Sequence, residues 1–169
     1  MPEASDEIRT ERLVLRRARM DDVAAMHVVM SNPIAMRYWS TPPHTDRRQT
    51  EQWVASMVEA DPSRDDFMVT LEGRLIGKMG AWRLPEFGFL IDPAHWGKGL
   101  AREALDAFVE RRRGLGSIEL TADVDPRNAA SIRLLERAGF VETGRAKGTW
   151  QVGDELCDSV YFRLNIPQD

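Results

Sequence analysis

Short segments of alternating apolar and polar residues, typical of strands, are separated along this chain by longer segments whose apolar residues recur at helical spacing. Alternation is clear at residues 118–124, and helical spacing is clear at Val23, Met26 and Met30. The whole pattern predicts about seven strands and about four helices. In chain order these are a strand at 8–17, helices from 21 and 46, strands at 67–71, 75–82 and 87–91, a helix from 100, a strand at 118–124, a helix stopped by Gly139, and strands at 140–144 and 160–164.

The connections between these elements limit the topology. The short segment 72–74 suits a hairpin, so the strands that it joins are antiparallel. The strand at 118–124 follows its predecessor through a helix, and such a crossover makes the two strands parallel. We therefore expect an α/β (α+β) fold in a single domain over residues 1–169, with a mixed, mostly antiparallel sheet flanked by helices and with residues 1–7 disordered.

Composition narrows the class of protein. The 169 residues, 43% of them hydrophobic, are enough for one domain with a real core. The net charge of −4 argues against a nucleic-acid partner, and no apolar run reaches the roughly 18 residues of a membrane span. The single cysteine, Cys157, excludes an internal disulfide and a multi-cysteine metal site. We expect a cytoplasmic monomer or homodimer without a metal, a nucleic-acid partner or a membrane partner.

Residues 86–105 combine an apolar strand, a turn with two glycines, and the beginning of a helix. Such a turn directs unpaired backbone N–H groups outward at the positive end of the helix dipole, which favours an anion. Gly97 and Gly99 leave room for a phosphate to approach the backbone. The spacing does not fit a P-loop, since Lys98 lies between the two glycines with Leu100 after them. It does not fit a dinucleotide fingerprint either, since Arg102 stands where the third glycine belongs. The turn alone is also compatible with a glycine-rich junction that binds no ligand.

Three motifs resemble those of the Gcn5-related N-acetyltransferase (GNAT) superfamily. The segment Trp96-Gly97-Lys98-Gly99-Leu100-Ala101 is similar to its Arg/Gln-x-x-Gly-x-Gly/Ala signature, with Trp96 departing from Arg or Gln. A second motif resembles the family's Asn-x-x-Ser-x-x-x-x-Glu-Lys-x-Gly-Phe and consists here of Asn128, Ser131, Glu136, Arg137, Gly139 and Phe140. The segment from Thr10 to Arg16 is similar to the start of the ribosomal-protein (RimJ/RimL-like) branch. The predicted element order also matches this superfamily along nearly the whole chain.

The resemblance implies that the chain binds acetyl-CoA as a co-substrate where the two parallel strands splay apart. It assigns to the cofactor the backbone and side chains of Phe89, Leu90, Ile91, Trp96, Gly97, Lys98, Gly99, Leu100, Ala101, Arg102, Asn128 and Ser131. The implied reaction is direct transfer of the acetyl group, in a ternary complex, to a primary amine of a protein N-terminus or a small molecule. The alternative is a non-catalytic, coenzyme A-binding module of the same fold that acts as a sensor or scaffold.

Two residues are candidates for proton transfer. Glu86 begins the strand before the glycine turn, and family members often place a general base there, although a solvated carboxylate is the other interpretation. Many relatives have a tyrosine as general acid at the position that matches Leu135, so Ser131 is the candidate donor here. A hydroxyl in the first turn of a helix can instead bond the backbone.

The irregular segment 34–45 is rich in aromatic residues. Tyr38, Trp39 and His44 are the candidates for an acceptor cleft, yet exposed loop aromatics can equally cover a core. His27 lies on the apolar face of its helix and is expected to be a packed core residue. The sequence does not identify the acceptor amine.

Overall fold

The computed structural model describes residues 5–168 and contains, among them, an eight-stranded sheet and four α-helices. The strands are β1 Glu7–Arg9, β2 Leu13–Arg16, β3 Asp65–Leu71, β4 Arg74–Arg83, β5 Glu86–Ile91, β6 Glu119–Val124, β7 Val141–Val152 and β8 Glu155–Asn165. The helices are α1 Val23–Met30, α2 Arg47–Val58, α3 Leu100–Gly114 and α4 Ala129–Arg137. No helix in the described part of the chain is long and apolar enough to cross a membrane.

The strand order is β1-β2-β3-β4-β5-β6-β8-β7, and every neighbouring pair is antiparallel except β5 and β6. This confirms the mixed, mostly antiparallel sheet and the four helices predicted from the sequence. β7 and β8 extend well beyond the predicted segments 140–144 and 160–164, because they pair with each other as a long hairpin.

The single first strand expected at residues 8–17 is wrong. A turn at residues 10–12 divides it into β1 and β2, which pair antiparallel. Thr10 closes this turn, since its backbone N–H donates to the Leu13 carbonyl and its hydroxyl accepts from the Leu13 N–H at 2.9 Å. Of residues 1–7, for which we expected disorder, 1–4 lie outside the described residues and Glu7 begins β1.

β5 and β6 separate after one point of contact. Their only register pair is Glu86 with Thr121, whose N–H donates to the Pro85 carbonyl at 2.9 Å. Beyond it, β5 remains paired with β4 on its other edge, from Gly88 to Ile91. The edge of β5 that faces β6 therefore presents unpaired backbone groups, which are available to a ligand.

Two apolar clusters cover the two faces of the sheet and fix which way β5 side chains point. Phe87 packs on the α3 side, with its ring centroid 5.4 Å from Phe140 and 5.9 Å from Phe108. Leu90 belongs to the other cluster, with side chains of α1 and α2. Because alternate residues of a strand share a face, Glu86 and Gly88 lie on the same face as Leu90. That face is where the candidate site is built.

Candidate active site

Two cavities open along β5. The glycine-loop cavity, of about 740 Å³, is lined by residues of β5, the turn at 95–102, and α4, together with the loop at 34–39. The aromatic cavity, of about 450 Å³, is lined by side chains of α2, of all six strands from β3 to β8, and of the loop at 37–41. β5 passes from one to the other, since Glu86, Phe87 and Gly88 line the aromatic cavity and the remainder of the strand lines the glycine-loop cavity.

The turn before α3 has the backbone shape of an anion site. Gly97 and Gly99 have φ values of +74° and +75°, a region that residues with a Cβ rarely adopt. Gly99 is the N-cap of α3 and gives it no side-chain acceptor, so the first backbone N–H groups of the helix are free for a ligand. A Cβ added at Gly97 would meet no atom within 4 Å, so the loop is open on that side.

Trp96 shows how an indole occupies the first position of the glycine signature. Its Nε1–H donates to the Ile91 carbonyl at 2.8 Å, which ties the turn to the end of β5. The residue is 52% exposed and lines the glycine-loop cavity. Its indole thus serves both as a brace for the turn and as part of the cavity wall.

Asn128 and Ser131 line the opposite wall, at the beginning of α4. The Asn128 side-chain oxygen accepts from the Ser131 N–H at 3.2 Å and caps the helix. Within residues 5–168 the Ser131 hydroxyl has no hydrogen-bond partner, in contrast to the alternative in which it bonds the backbone. That hydroxyl is therefore available to a group inside the cavity.

Glu86 lies in the floor of the aromatic cavity beside Asp123. Burial, and next the negative charge of Asp123, raise the pKa of Glu86, while Arg83 opposes them. In the described chain no side chain forms a hydrogen bond or ion pair with Glu86, whereas Asp123 accepts from Trp150 Nε1–H at 2.9 Å. A half-buried carboxylate with a raised pKa and no partner takes up a proton more readily than an ordinary glutamate.

A family model described as an acetyltransferase (GNAT) domain matches residues 12–141, most of the chain. The chain belongs to the GNAT family of acetyltransferases. It is accordingly an acyltransferase that uses acetyl-CoA.

One relative in sequence and two solved structures of the same fold are similar to this GNAT chain over nearly its whole length. An uncharacterized N-acetyltransferase, p20, from Bacillus licheniformis is 28% identical over 92% of this chain and 93% of its own. A ribosomal-protein alpha-N-acetyltransferase, RimL, in complex with coenzyme A has a TM-score of 0.85 at 19% identity, covering 96% and 99% of the two chains. A spermidine N-acetyltransferase from Vibrio cholerae, with CoA and spermine, has a TM-score of 0.79 at 23% identity, covering 93% and 97%.

The GNAT fold gathers most of the sequence-predicted cofactor residues in one place. All of them except Lys98 line the glycine-loop cavity. The Lys98 side chain is not part of the lining, and its backbone carbonyl accepts from Arg12 Nη1 at 2.9 Å. No group of three or more His, Cys, Asp or Glu side chains among residues 5–168 is placed to hold a metal ion.

The predicted acceptor residues of this acetyltransferase divide into two sets. Tyr38 and Trp39 line both cavities, and Trp39 also packs on the α1–α2 core, so this ring belongs to cleft and core together. His44 lines neither cavity. It is buried, and its Nδ1 lies 2.7 Å from the Thr50 hydroxyl, which is also 2.7 Å from Nδ1 of His27. Burial, followed by the charge of His27, lowers the pKa of His44, and the contact with Thr50 ties the loop to α2 away from both cavities.

Sequence reasoning missed several residues of the aromatic cavity. The alternation within 118–124 already placed Asp123 on the face of its strand opposite Leu120 and Ala122, but its position on the same face as Glu86 depends on the register of Thr121 with Glu86, which only the structure gives. Lys78 and Asp66 were harder to detect, since they come from different strands and form an ion pair of 2.9 Å that is almost fully buried. Arg37 and Trp150 also line the cavity, and neither belongs to a recognisable motif.

Proposed function

We propose that this acetyltransferase moves the acetyl group of acetyl-CoA directly to a primary amine, with both substrates bound at once. Acetyl-CoA occupies the glycine-loop cavity and the amine occupies the aromatic cavity. The observation that carries the proposal is that one strand, β5, lines both cavities and passes from one to the other between Gly88 and Phe89. A thioester held along Phe89 and an amine held over Gly88 are therefore neighbours, which is the proximity that direct transfer requires.

The proposed roles in cofactor binding follow from the backbone. The N–H groups of the turn from Gly97 to Arg102 receive the diphosphate, as helix N-termini do for other phosphates. The edge of β5 at Phe89–Ile91, which β6 leaves unpaired, bonds the pantetheine arm. A backbone N–H of this edge also stabilises the oxyanion that forms at the thioester carbonyl, a contribution of about 3 kcal/mol for one donor.

Two side chains move the protons in this proposal. Glu86 removes one proton from the bound ammonium, directly or through a water, and the neutral nitrogen then forms its bond to the acetyl carbon. Ser131 donates its proton to the sulfur as the carbon–sulfur bond breaks and recovers one from the new amide nitrogen through a water, while Glu86 releases its proton to solvent. The raised pKa of Glu86 supports the first role because a base works best when its pKa lies nearer the working pH. The free hydroxyl of Ser131 supports the second.

The charge of the aromatic cavity favours a cationic acceptor. Six carboxylates line it, Asp66, Glu86, Asp123, Asp125, Glu155 and Asp158, together with the cationic side chains Arg37, Arg64 and Lys78. Lys78 pairs with Asp66, and Arg127 of the neighbouring cavity pairs with Asp125 and Glu155. Among the described residues this leaves Glu86, Asp123 and Asp158 without an ion pair, against Arg37 and Arg64. An amine reaches the site as an ammonium ion, which such a rim concentrates and orients. Tyr38 and Trp39 add aromatic faces for its carbon chain or for cation–π contact.

We place the chain in the RimJ/RimL-like branch on its Thr10–Arg16 motif, and we propose a peptide N-terminus or a small polyamine as the acceptor. These are the acceptor types named for two of its fold neighbours, RimL and the spermidine N-acetyltransferase.

A panel of acceptors tests this function. Acetyl-CoA is incubated with polyamines, short peptides with free N-termini, amino acids and anionic amines, and both thiol release and the mass of the acetylated product are followed. Cationic amines should give the highest kcat/KM. The same peptides with blocked N-termini and no lysine are the matched control and should release no thiol. Preference for an anionic acceptor, or thiol release without an acetylated amine, would contradict the proposal.

A further inference from the structure

The turn between β1 and β2 is tied to the beginning of α3 through Glu103. This residue is in the first turn of the helix, and its N–H donates to the carbonyl of the N-cap Gly99 at 3.1 Å. Its Oε1 accepts from the Thr10 hydroxyl at 2.6 Å and from the Arg12 backbone N–H at 2.8 Å. Its Oε2 accepts from Arg12 Nε and Nη2, both at 2.7 Å. One carboxylate therefore fixes both the turn and the guanidinium.

The same guanidinium reaches the glycine loop itself. Arg12 Nη1 donates to the Lys98 carbonyl at 2.9 Å, and its Nη2 lies 3.6 Å from the position that a Cβ on Gly99 would occupy. Lys98 stands between two glycines with positive φ, where the chain has no helical hydrogen bond of its own to hold it. Neither Arg12 nor Glu103 lines the cavity, so both act on the loop from behind.

Arg12 also neutralises the negative charge of Glu103 near the glycine turn. The Glu103 side chain is 17% exposed and lies one helical turn from Gly99. Burial alone would raise the pKa of Glu103, but the hydrogen bonds from Thr10 and Arg12 outweigh it and hold the pKa below its usual value. The carboxylate is therefore charged at neutral pH, and without Arg12 it would repel an anion bound at the glycine turn.

We propose that Arg12, held by Glu103, is a positioning residue that fixes the Lys98 carbonyl and so keeps the N–H groups of the glycine loop directed at the diphosphate of acetyl-CoA. The Thr10–Arg12 turn thereby acquires a role in cofactor affinity without touching the cofactor. This inference rests on the proposed placement of acetyl-CoA in the glycine-loop cavity.

Calorimetric titration with coenzyme A tests the positioning role of Arg12 without the need for an acceptor. Arg12→Ala should weaken CoA binding by about tenfold, since it removes charge-assisted hydrogen bonds to the loop and leaves Glu103 unpaired. Arg12→Lys should recover only part of this loss, because a single ammonium cannot bond Glu103 and Lys98 in the planar arrangement of a guanidinium. The double variant Arg12→Ala/Glu103→Gln should bind CoA better than Arg12→Ala alone, because it no longer contains the uncompensated carboxylate.

Arg113→Ala is the matched control. Arg113 is on α3, as Glu103 is, but at the opposite end of the helix from the glycine turn, and it pairs with Glu110. Its side chain is 40% exposed, against 42% for Arg12. The loss of Arg113 should leave CoA affinity unchanged. Unchanged CoA affinity in a folded Arg12→Ala variant would overturn the proposed role of Arg12. A double variant that binds CoA worse than Arg12→Ala would overturn it as well.

A truncated donor separates positioning from general damage. Acetyl-pantetheine has the thioester and the arm but no diphosphate, so Arg12→Ala should keep the wild-type kcat/KM with it while losing about tenfold with acetyl-CoA. Equal losses with both donors would show that Arg12 only supports the fold, and would refute the proposal. Failure of the wild-type protein to bind CoA would instead contradict the proposed function.

Discussion

The glycine-loop cavity and the aromatic cavity are neighbours along β5, but they are built differently. The first takes most of its lining from two continuous segments, around 89–102 and 127–137, with the loop at 34–39 beside them. The second takes side chains from six strands, one helix and a loop. A site lined mainly by continuous segments is recorded locally in the sequence, whereas a site of converging side chains exists only once the sheet has formed. The lining of the aromatic cavity can therefore change without altering the glycine turn.

The largest effect should come from filling the glycine turn. Gly97→Glu places bulk and negative charge at the proposed diphosphate site, and we expect CoA affinity to fall more than about 1,000-fold in calorimetry. Gly73→Glu is the matched control: Gly73 has a φ of +76° against +74° for Gly97, and no atom lies within 4 Å of either Cβ position. Both variants incur the same backbone strain, so normal CoA binding by Gly97→Glu would contradict a diphosphate site at this turn.

Glu86 should have the next largest effect. Glu86→Gln should lower kcat by about 100-fold near pH 7, with little change in CoA affinity, because it removes the proposed base. A base with a raised pKa loses activity as the pH falls through that pKa, so wild-type activity should decline on acidification. In the variant the decline set by Glu86 should be replaced by one set by the amine itself, so its deficit should shrink at high pH, where the amine is neutral without help.

Stability distinguishes this loss from unfolding. A carboxyl group whose pKa is raised by folding stabilises the protein below its unfolded pKa, and this contribution is lost as the pH rises through the folded value. Glu86→Gln should therefore be at least as stable as the wild type at pH 8. Glu119→Gln is the control, since Glu119 pairs with Arg163 and lines neither cavity. Equal rates for Glu86→Gln and the wild type from pH 6 to 9 would show that Glu86 is a solvated carboxylate without a role in catalysis.

The difference between the cavities also explains how much could be predicted from the sequence. Gly97, Gly99, Asn128 and Ser131 fall in contiguous motifs, and the periodicity of strands and helices gave the element order. The division of the first strand was not predicted, because the turn depends on hydrogen bonds of Thr10 that do not alter the alternation of apolar residues.

The lining of the aromatic cavity and the position of His44 could largely not be predicted from the sequence. His44 is near Tyr38 and Trp39 in the chain, but the partner that decides its orientation, Thr50, is on α2. The pair Lys78–Asp66 depends on the register between β3 and β4. Neither relation leaves a periodic signal.

Substitution of two tryptophans, Trp39 and Trp82, should distinguish the two cavities through smaller changes in KM. Trp39 lines both cavities, with its ring near Gly88, whereas Trp82 lines only the aromatic cavity. Trp39→Ala should raise KM about fivefold for both the acceptor and acetyl-CoA, and Trp82→Ala should raise it for the acceptor alone. Steady-state kinetics in which Trp39→Ala changes neither KM would show that this ring is only a core residue.

A grid of initial rates tests most directly whether the two cavities are filled together. Acetyl-CoA and the best amine are varied against each other, and direct transfer predicts double-reciprocal lines that intersect. Parallel lines would contradict the account, because they indicate an acetyl-enzyme formed before the amine binds. Cys157 lines the aromatic cavity and is the nucleophile that such a result would implicate, although burial, with the charges of Glu155 and Asp125, raises the pKa of its thiol. Intersecting lines that persist in Cys157→Ser are the predicted result.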